Sequence, residues 1–154
     1  MIRKIFPLLI FALVLIFAFL MLKNYQTEQN QGKRELIDTK NLQSLSCDLN
    51  QKSCEYNFKE RQIFVEFQKK PIQSLDENIL YIKNLGNYNH LNAKIYALNM
   101  YMGEIIPEFE KINHEDYKSS IVISTCPLDL MRYRAELFDG DKPLGFYFDF
   151  DVKK

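Results

Sequence analysis

The fold class is indicated by the stretch MRYRAELFDGDKPLGFYFDFDV, residues 131–152. Apolar and polar side chains alternate over residues 131–137 and again over residues 146–152. Such alternation is typical of a β-strand with one buried face and one solvated face. The turn-forming residues 139–143, DGDKP, separate the two segments, so we predict a β-hairpin. The expected buried faces are Met131, Tyr133, Ala135 and Leu137 in the first strand and Phe146, Phe148, Phe150 and Val152 in the second.

Weaker strand signals lie upstream of this hairpin. Residues 62–68 alternate cleanly, and residues 119–125 form a short apolar run with β-branched members. Residues 92–102 alternate less cleanly, and residues 107–115 fit either one helical turn or a loop. In residues 92–102, the apolar side would carry Tyr96, Leu98, Met100 and Met102. About seven or eight short strands without a helical stripe predict an all-β domain, a sandwich of two antiparallel sheets.

The chain opens with an uncharged apolar run, IFPLLIFALVLIFAFLML, over residues 5–22. At helical rise this run reaches about 27 Å, close to the thickness of the hydrocarbon core of a bilayer. Arg3 and Lys4 precede it, which predicts that the rest of the chain lies outside the cytoplasm. A cleaved signal peptide is the alternative, but the run is not followed by a small-x-small cleavage site. We therefore expect a single-pass anchor in the inner membrane, with the C-terminal domain in the periplasm.

The composition predicts three regions: a cytoplasmic stub and transmembrane anchor over 1–24, a polar tether over 25–44 and the β-sandwich domain over 45–154. The whole chain balances 20 basic against 20 acidic side chains. This balance argues against binding to nucleic acid, which relies on a basic excess that neutralises phosphates.

Three cysteines divide into a close pair and a single residue. Cys47 and Cys54 bracket a polar run suited to a tight turn, and an envelope location permits oxidation, so we predict a structural disulfide. A redox dithiol or a zinc pair is the alternative, although both normally have shorter spacings. Cys126 precedes Pro127, and it fits a buried free thiol, a soft metal ligand or a redox partner.

The element Asn99-Met100-Tyr101-Met102-Gly103 is the most suggestive group for ligand chemistry. On a strand, Met100 and Met102 would point to one face about 7 Å apart. Thioethers are soft donors that suit Cu(I). The alternative is that the methionines fill the core. The side chains that could complete a copper site are Cys126, Met131, His90 and His114.

Other enzyme and metal motifs are missing from the sequence. It contains no glycine-rich phosphate loop, no Gly-x-Ser-x-Gly element and no His-x-x-x-His pair, so we predict no catalytic site. Asp139, Asp141, Asp149 and Asp151 are close in sequence, but a calcium loop needs its oxygen donors in one compact turn. The alternation places the last two of them on a solvated strand face instead.

The order of these features resembles a group of small membrane-anchored periplasmic proteins, the FixH and YtkA-like proteins. The shared elements are an N-terminal anchor, the early pair Cys47 and Cys54, the Met-x-Met-Gly element at 100–103 and the later Cys126. The resemblance implies an immunoglobulin-like sandwich and a role in copper delivery or respiratory oxidase assembly. It further implies that Met100, Met102 and Cys126 hold or hand over Cu(I) to a periplasmic partner of that machinery.

A second hypothesis follows from the residues alone, a metal-free, membrane-tethered interaction module of the cell envelope. In this hypothesis the methionines belong to the core, and the Cys47–Cys54 bridge is a structural staple. An exposed sheet edge or an aromatic face would bind a partner. A thiol–disulfide enzyme is a third hypothesis, and it rests on Cys126 alone.

Overall fold

The computed structural model describes residues 13–21, 36–38, 42–124 and 127–153. The chain divides into two compact units, Met1–Glu35 and Leu36–Lys154. Residues 13–21 are helical in the first unit. Among the described residues, no helix has the length and apolar character that crossing a bilayer requires. Half of the predicted anchor at 5–22 and most of the predicted tether at 25–44 lie outside the described residues.

The described part of the second unit forms nine β-strands. In chain order these are β1 (Cys54–Phe58), β2 (Arg61–Phe67), β3 (Glu77–Lys83), β4 (Leu91–Ala97), β5 (Glu104–Ile105), β6 (Glu110–Lys111), β7 (Tyr117–Val122), β8 (Leu130–Asp139) and β9 (Lys142–Lys153). One sheet has the order β1-β2-β3-β7-β6, and the other has the order β5-β4-β8-β9. All neighbouring strands are antiparallel, so the predicted all-β sandwich of two antiparallel sheets is confirmed.

The core lies between the two sheets and is rich in aromatic rings. Tyr56 of β1 contacts Phe146 of β9 edge to face at 5.7 Å, and Phe67 of β2 contacts Phe150 at 5.2 Å. Phe150 also stacks on Tyr133 of β8 at 5.6 Å. Each fully buried large side chain stabilises the fold by about 1.5–3 kcal/mol relative to an exposed one. The contacts of Tyr56 and Phe67 with rings of β9 therefore join the two sheets.

The hairpin predicted from residues 131–152 is present as β8 and β9. Its inner side chains are buried as expected, and Gly140 adopts a positive φ of 59° in the turn. A register irregularity between Glu136 and Phe138 shifts the pairing near the turn. The strands extend beyond the predicted segments because the bulge lets pairing continue as far as Asp139 and Lys142.

Three upstream predictions differ from the structure. β4 ends at Ala97, so residues 92–102 are not one strand. The segment 107–115 is not helical, since it contains β6 and an isolated bridge between Asn92 and Glu108. The strand expected at 119–125 begins earlier, at Tyr117, and ends at Val122. Short-range alternation therefore located β4 and β7 but not their ends, and it did not locate β6.

β9 forms one edge of the four-stranded sheet. The carbonyl oxygen of Asp151 accepts a hydrogen bond from Asn50 Nδ2 at 2.8 Å. Opposite it on β8, the N–H of Arg132 donates to Asn99 Oδ1 at 3.1 Å. The Asp151 carbonyl points away from β8, and the Arg132 N–H points away from β9. Arg132 and Asp151 therefore form a non-hydrogen-bonded pair of the antiparallel ladder.

This pairing fixes the direction of the backbone groups along β9. In an antiparallel ladder the N–H and C=O of successive residues alternate between the two sides of a strand. Phe148 and Phe150 therefore bond to β8, whereas Tyr147 and Asp149 direct their backbone groups to the outer edge. Within the described residues, no strand pairs with that edge.

We expect a proline substitution in β9 to be tolerated where the backbone N–H faces the open edge and to destabilise the fold where the N–H bonds to β8. Tyr147→Pro should retain the fold, since proline is tolerated where the strand N–H faces an open edge. Phe148→Pro should lose the fold or much of its stability. It would leave a buried carbonyl of β8 without a hydrogen-bond donor, which lowers the free energy of unfolding by about 1–3 kcal/mol. Backbone strain and the loss of the aromatic ring would lower it further. The measurement is urea denaturation of the full chain in detergent micelles. Phe148→Leu, which keeps the N–H, is the control for the ring, and equal stability of the two proline variants would contradict the assignment.

Candidate functional site

Cys47 and Cys54 form the predicted disulfide, with a Cα–Cα distance of 5.8 Å. Cys54 is fully buried at the start of β1, and Cys47 is half-buried. In the chain-entropy treatment a bridge that closes so short a loop stabilises the fold by about 2.5 kcal/mol. The bridge therefore fixes the segment that leads into the domain to the edge strand of the five-stranded sheet.

Asn50, inside the bridged loop, connects three segments. Its Nδ2 donates to the Asp151 carbonyl of β9, and its Oδ1 accepts from the Ile72 N–H at 2.9 Å. The backbone N–H of Asn50 also donates to the Asp48 carboxylate at 2.9 Å. This last bond holds the pKa of Asp48 below its ordinary value, although partial burial acts in the opposite direction.

Several connections meet at one end of the sandwich, which we call the proximal end. It consists of residues 42–53, 68–76 and 98–103, together with the described residues of 123–130. Backbone bonds join these segments to one another: Leu75 N–H donates to Ile123 O at 2.8 Å, and Leu98 N–H donates to Arg132 O at 2.7 Å. Ile37 N–H donates to Leu98 O at 2.8 Å, so the chain enters the domain here.

Met100 and Met102 lie on the loop 98–103 at the proximal end, and the prediction that they share one face of a strand is wrong. The chain leaves β4 because Asn99 bonds to β8 through its side chain. Its Nδ2 donates to Leu130 O at 2.8 Å, while its Oδ1 accepts from the Arg132 N–H. Both methionines are half-buried against the edge of the core. They are therefore neither central core residues nor fully exposed ligands.

The other predicted copper ligands fall into three places. Cys126 lies outside the described residues, although its described neighbours Ser124 and Pro127 belong to the proximal end. Met131 is buried at the start of β8. His90 lies at the opposite end of the strands, where its carbonyl accepts from Gly140 N–H, and His114 lies in the turn between β6 and β7. The two histidines are therefore not brought together with the methionine loop.

The outer face of the four-stranded sheet carries charged pairs that the sequence reading missed. Arg132 and Asp151 form a two-pronged ion pair, with Nε–Oδ1 at 2.8 Å and Nη2–Oδ2 at 2.9 Å. Their side chains are 9% and 16% exposed. Arg132 Nη1 also donates to the carbonyl of Gln43, and the bonds to Asp151 raise the pKa of Arg132.

A second pair continues this arrangement along the same strands. Arg134 binds Asp149 through Nε at 2.8 Å and Nη2 at 3.0 Å, which raises the pKa of the guanidinium. Arg134 also lies over the Tyr147 ring, 4.2 Å from its centroid. Next along β8, Glu136 accepts a hydrogen bond from the buried Tyr96 hydroxyl. Asp149 and Asp151 are therefore ion-pair partners rather than members of a freely solvated face.

Two clefts on the described surface are small and mostly polar. A shallow cleft of about 200 Å³ is lined by His90, Asn92, Glu108 and their neighbours. A similar cleft of about 210 Å³ lies beside β7. In the described residues no group of three or more His, Cys, Asp or Glu side chains could hold a metal ion. Typical small-molecule pockets are larger and mostly apolar, at about 300–1,000 Å³.

Comparison with known proteins adds no relative. No protein-family model matches the chain. No curated protein matches it, and no solved structure matches it.

We expect Asp151→Ala to be strongly destabilising, because it leaves the nearly buried Arg132 guanidinium without its counter-ion. Breaking a buried pair in this way costs about 3–5 kcal/mol, whereas replacing both partners with apolar residues costs much less. Urea denaturation of Asp151→Ala and of the double variant Arg132→Met/Asp151→Leu tests this. Asp141→Ala, in the exposed turn before β9, is the matched control and should leave the midpoint unchanged. A midpoint for Asp151→Ala equal to that of the control would contradict the prediction.

Proposed function

We propose that this chain is a membrane-anchored envelope protein whose immunoglobulin-like domain binds a protein partner through the open edge of β9. The strand order supports the immunoglobulin-like assignment. In that fold one sheet has the order A-B-E-D, and the other places C, F and G side by side with C′ next to C. The strands β2-β3-β7-β6 and β5-β4-β8-β9 follow these two orders, with β1 added outside β2.

The proposed envelope location rests on two features of the chain. The apolar run at 5–22 has the composition and length of an anchor, and basic residues precede it. The bridge between Cys47 and Cys54 fits an oxidising compartment, because such bonds are rare in the cytosol. Both features favour the orientation in which the sandwich lies in the periplasm.

The observation that carries the binding proposal is the length of the β9 edge. β9 has 12 residues, whereas the other edge strands β1, β5 and β6 have five, two and two. Edge strands with unpaired backbone groups are templates for an added strand. Tyr147 and Asp149 direct their N–H and C=O groups there, and the Tyr147 ring is exposed beside them. An extended segment of a partner can pair with these groups and rest on the ring.

Site-specific photo-crosslinking of the full chain in the cells that produce it tests this proposal. A photoreactive residue in place of Tyr147 should give a discrete adduct with one envelope protein. The same residue in place of Tyr81, on the central strand β3, is the control and should give none. With the probe moved to Lys142, Tyr147→Pro should abolish the adduct, because proline removes an edge donor. Adducts of equal yield at positions 147 and 81, or an adduct that survives Tyr147→Pro, would count against β9.

A second candidate is Cu(I) handling in oxidase assembly, the role implied by the resemblance to FixH and YtkA-like proteins. It is supported by the loop 98–103, which holds two thioethers at the edge of the core. The described residues of the connection from β7 to β8 belong to the same end of the sandwich, and Cys126 falls within that connection in the sequence. Methionine and cysteine sulfurs are the donors that Cu(I) prefers.

Titration of the full chain in detergent with Cu(I), against a competing chelator, tests the copper candidate. We expect one equivalent to bind and the affinity to fall at least tenfold in the Met100→Leu/Met102→Leu variant. Cys126→Ser should weaken binding as well. Met131→Leu is the matched control, since that methionine is buried in the core and should not be a ligand. Failure of the wild-type chain to compete for copper would eliminate this candidate without affecting the β9 proposal.

A further inference from the structure

We propose that the proximal end of the sandwich is a membrane-contact surface, on which Leu75 and Tyr101 insert into the interfacial region of the bilayer. The inference deepens the proposed function, because it rests on the anchor at residues 5–22. It goes beyond that function in assigning a lipid-binding role to the folded domain itself.

The conformation of Leu75 is the first observation. Its side chain is 69% exposed, although its backbone has a φ of +62°, a region that disfavours leucine. Its N–H bond to Ile123 O holds it in the turn just before β3. Strained conformations of this kind persist where the neighbouring structure imposes them, and they concentrate at functional sites. A large apolar side chain is thus held away from the core by a conformation that glycine or asparagine would adopt more easily.

Other exposed apolar side chains lie at the same end. Tyr101 is 69% exposed on the loop 98–103. Val122, the last residue of β7, is also exposed and lies next to the Leu75–Ile123 bond. Tyrosine is enriched at the boundary between headgroups and hydrocarbon, where its ring and hydroxyl meet both environments. The exposed apolar groups at this end therefore match the composition of an interfacial surface.

Four exposed lysines lie at the same end of the sandwich. Lys52 lies in the bridged loop, Lys69 and Lys70 lie in the connection after β2, and Lys153 ends β9; all four are exposed. Lys69 also pairs with Asp76 at 3.1 Å, beside Leu75. Long basic side chains place their stems along apolar surface and their charges among lipid headgroups.

The position at which the chain enters the domain identifies the bilayer as the partner. Ile37 bonds to Leu98 within the proximal end, and the sequence leaves only residues 23–35 between the apolar run and the domain. Thirteen residues span at most about 45 Å when fully extended, so the covalent chain keeps the entry of the domain within that distance of the apolar run. This limit keeps the local lipid concentration high, so that weak insertion of a few side chains suffices for contact.

The chain contains no tryptophan, so single tryptophan substitutions give background-free reporters. The full chain would be reconstituted into vesicles of zwitterionic and anionic lipids carrying brominated acyl chains. We expect bromine to quench the fluorescence of Leu75→Trp and Tyr101→Trp at least twofold more than that of Ile112→Trp. Ile112 is the matched control, since it is 49% exposed in the turn at the opposite end.

Phe17→Trp, within the apolar run, reports whether the anchor lies in the bilayer, independently of whether the folded domain contacts it. Quenching at 17, 75 and 101 but not at 112 supports membrane contact. Quenching at 17 without quenching at 75 and 101 overturns the contact surface and leaves the anchor intact. No quenching at 17 overturns the anchor and the inference with it, and equal quenching at 75 and 112 overturns a specific surface.

A second variant tests the surface without loss of the fold. Leu75→Asn relieves the backbone strain, since asparagine tolerates a positive φ, and removes the apolar side chain. In the Tyr101→Trp background it should reduce bromine quenching at least twofold while the urea midpoint is unchanged or higher. Unchanged quenching would show that Leu75 does not contribute to the contact.

Discussion

The register of the β8–β9 hairpin is the constraint on which the sandwich, its charged face and its open edge all depend. Along β9, Phe148 and Phe150 point into the core, and their backbone groups bond to β8. The alternate residues Asp149 and Asp151 pair with Arg134 and Arg132 on the outer face, and their backbone groups point to the open edge. A slip of one residue would expose the aromatic rings and bury the four charges, so this register is strongly specified.

Side chains replace the backbone ladder where the strands end. Asn50 reaches β9 and the connection after β2, and Asn99 satisfies backbone groups at the start of β8. Arg132 reaches the carbonyl of Gln43 from the outer face. The proximal end is thus held by amides, a guanidinium and one disulfide rather than by apolar packing alone. This arrangement allows the loops that carry the exposed side chains of Leu75 and Tyr101 to protrude, while the strands to which they connect stay fixed.

Two different surfaces of the domain carry the functional proposals. The edge of β9 offers backbone hydrogen-bonding groups and one exposed ring, which suit an extended protein segment. The proximal end presents the exposed side chains of Leu75 and Tyr101 together with lysines, a combination that suits lipid. It also holds the half-buried thioethers of Met100 and Met102. Because the β9 edge extends along the side of the sandwich beyond this end, contact with a bilayer leaves it available to a partner.

The sequence by itself determined the hairpin, the sandwich class and the Cys47–Cys54 bridge, because alternation and close spacing are local properties. It did not reveal β3, since Asn78 points inward there while Ile79 and Tyr81 point outward, which obscures the two-residue period. Nor could it show that β4 ends at Ala97, because the polar partners of Asn99 are 31 and 33 residues away. The Arg–Asp pairs, the direction of the β9 edge and the cluster at the proximal end were decided by tertiary structure alone. The Arg–Asp pairs depend on the register of β8 against β9, which the irregularity near the turn shifts. The other two features depend on contacts between segments that are distant in sequence, and no local pattern encodes those contacts.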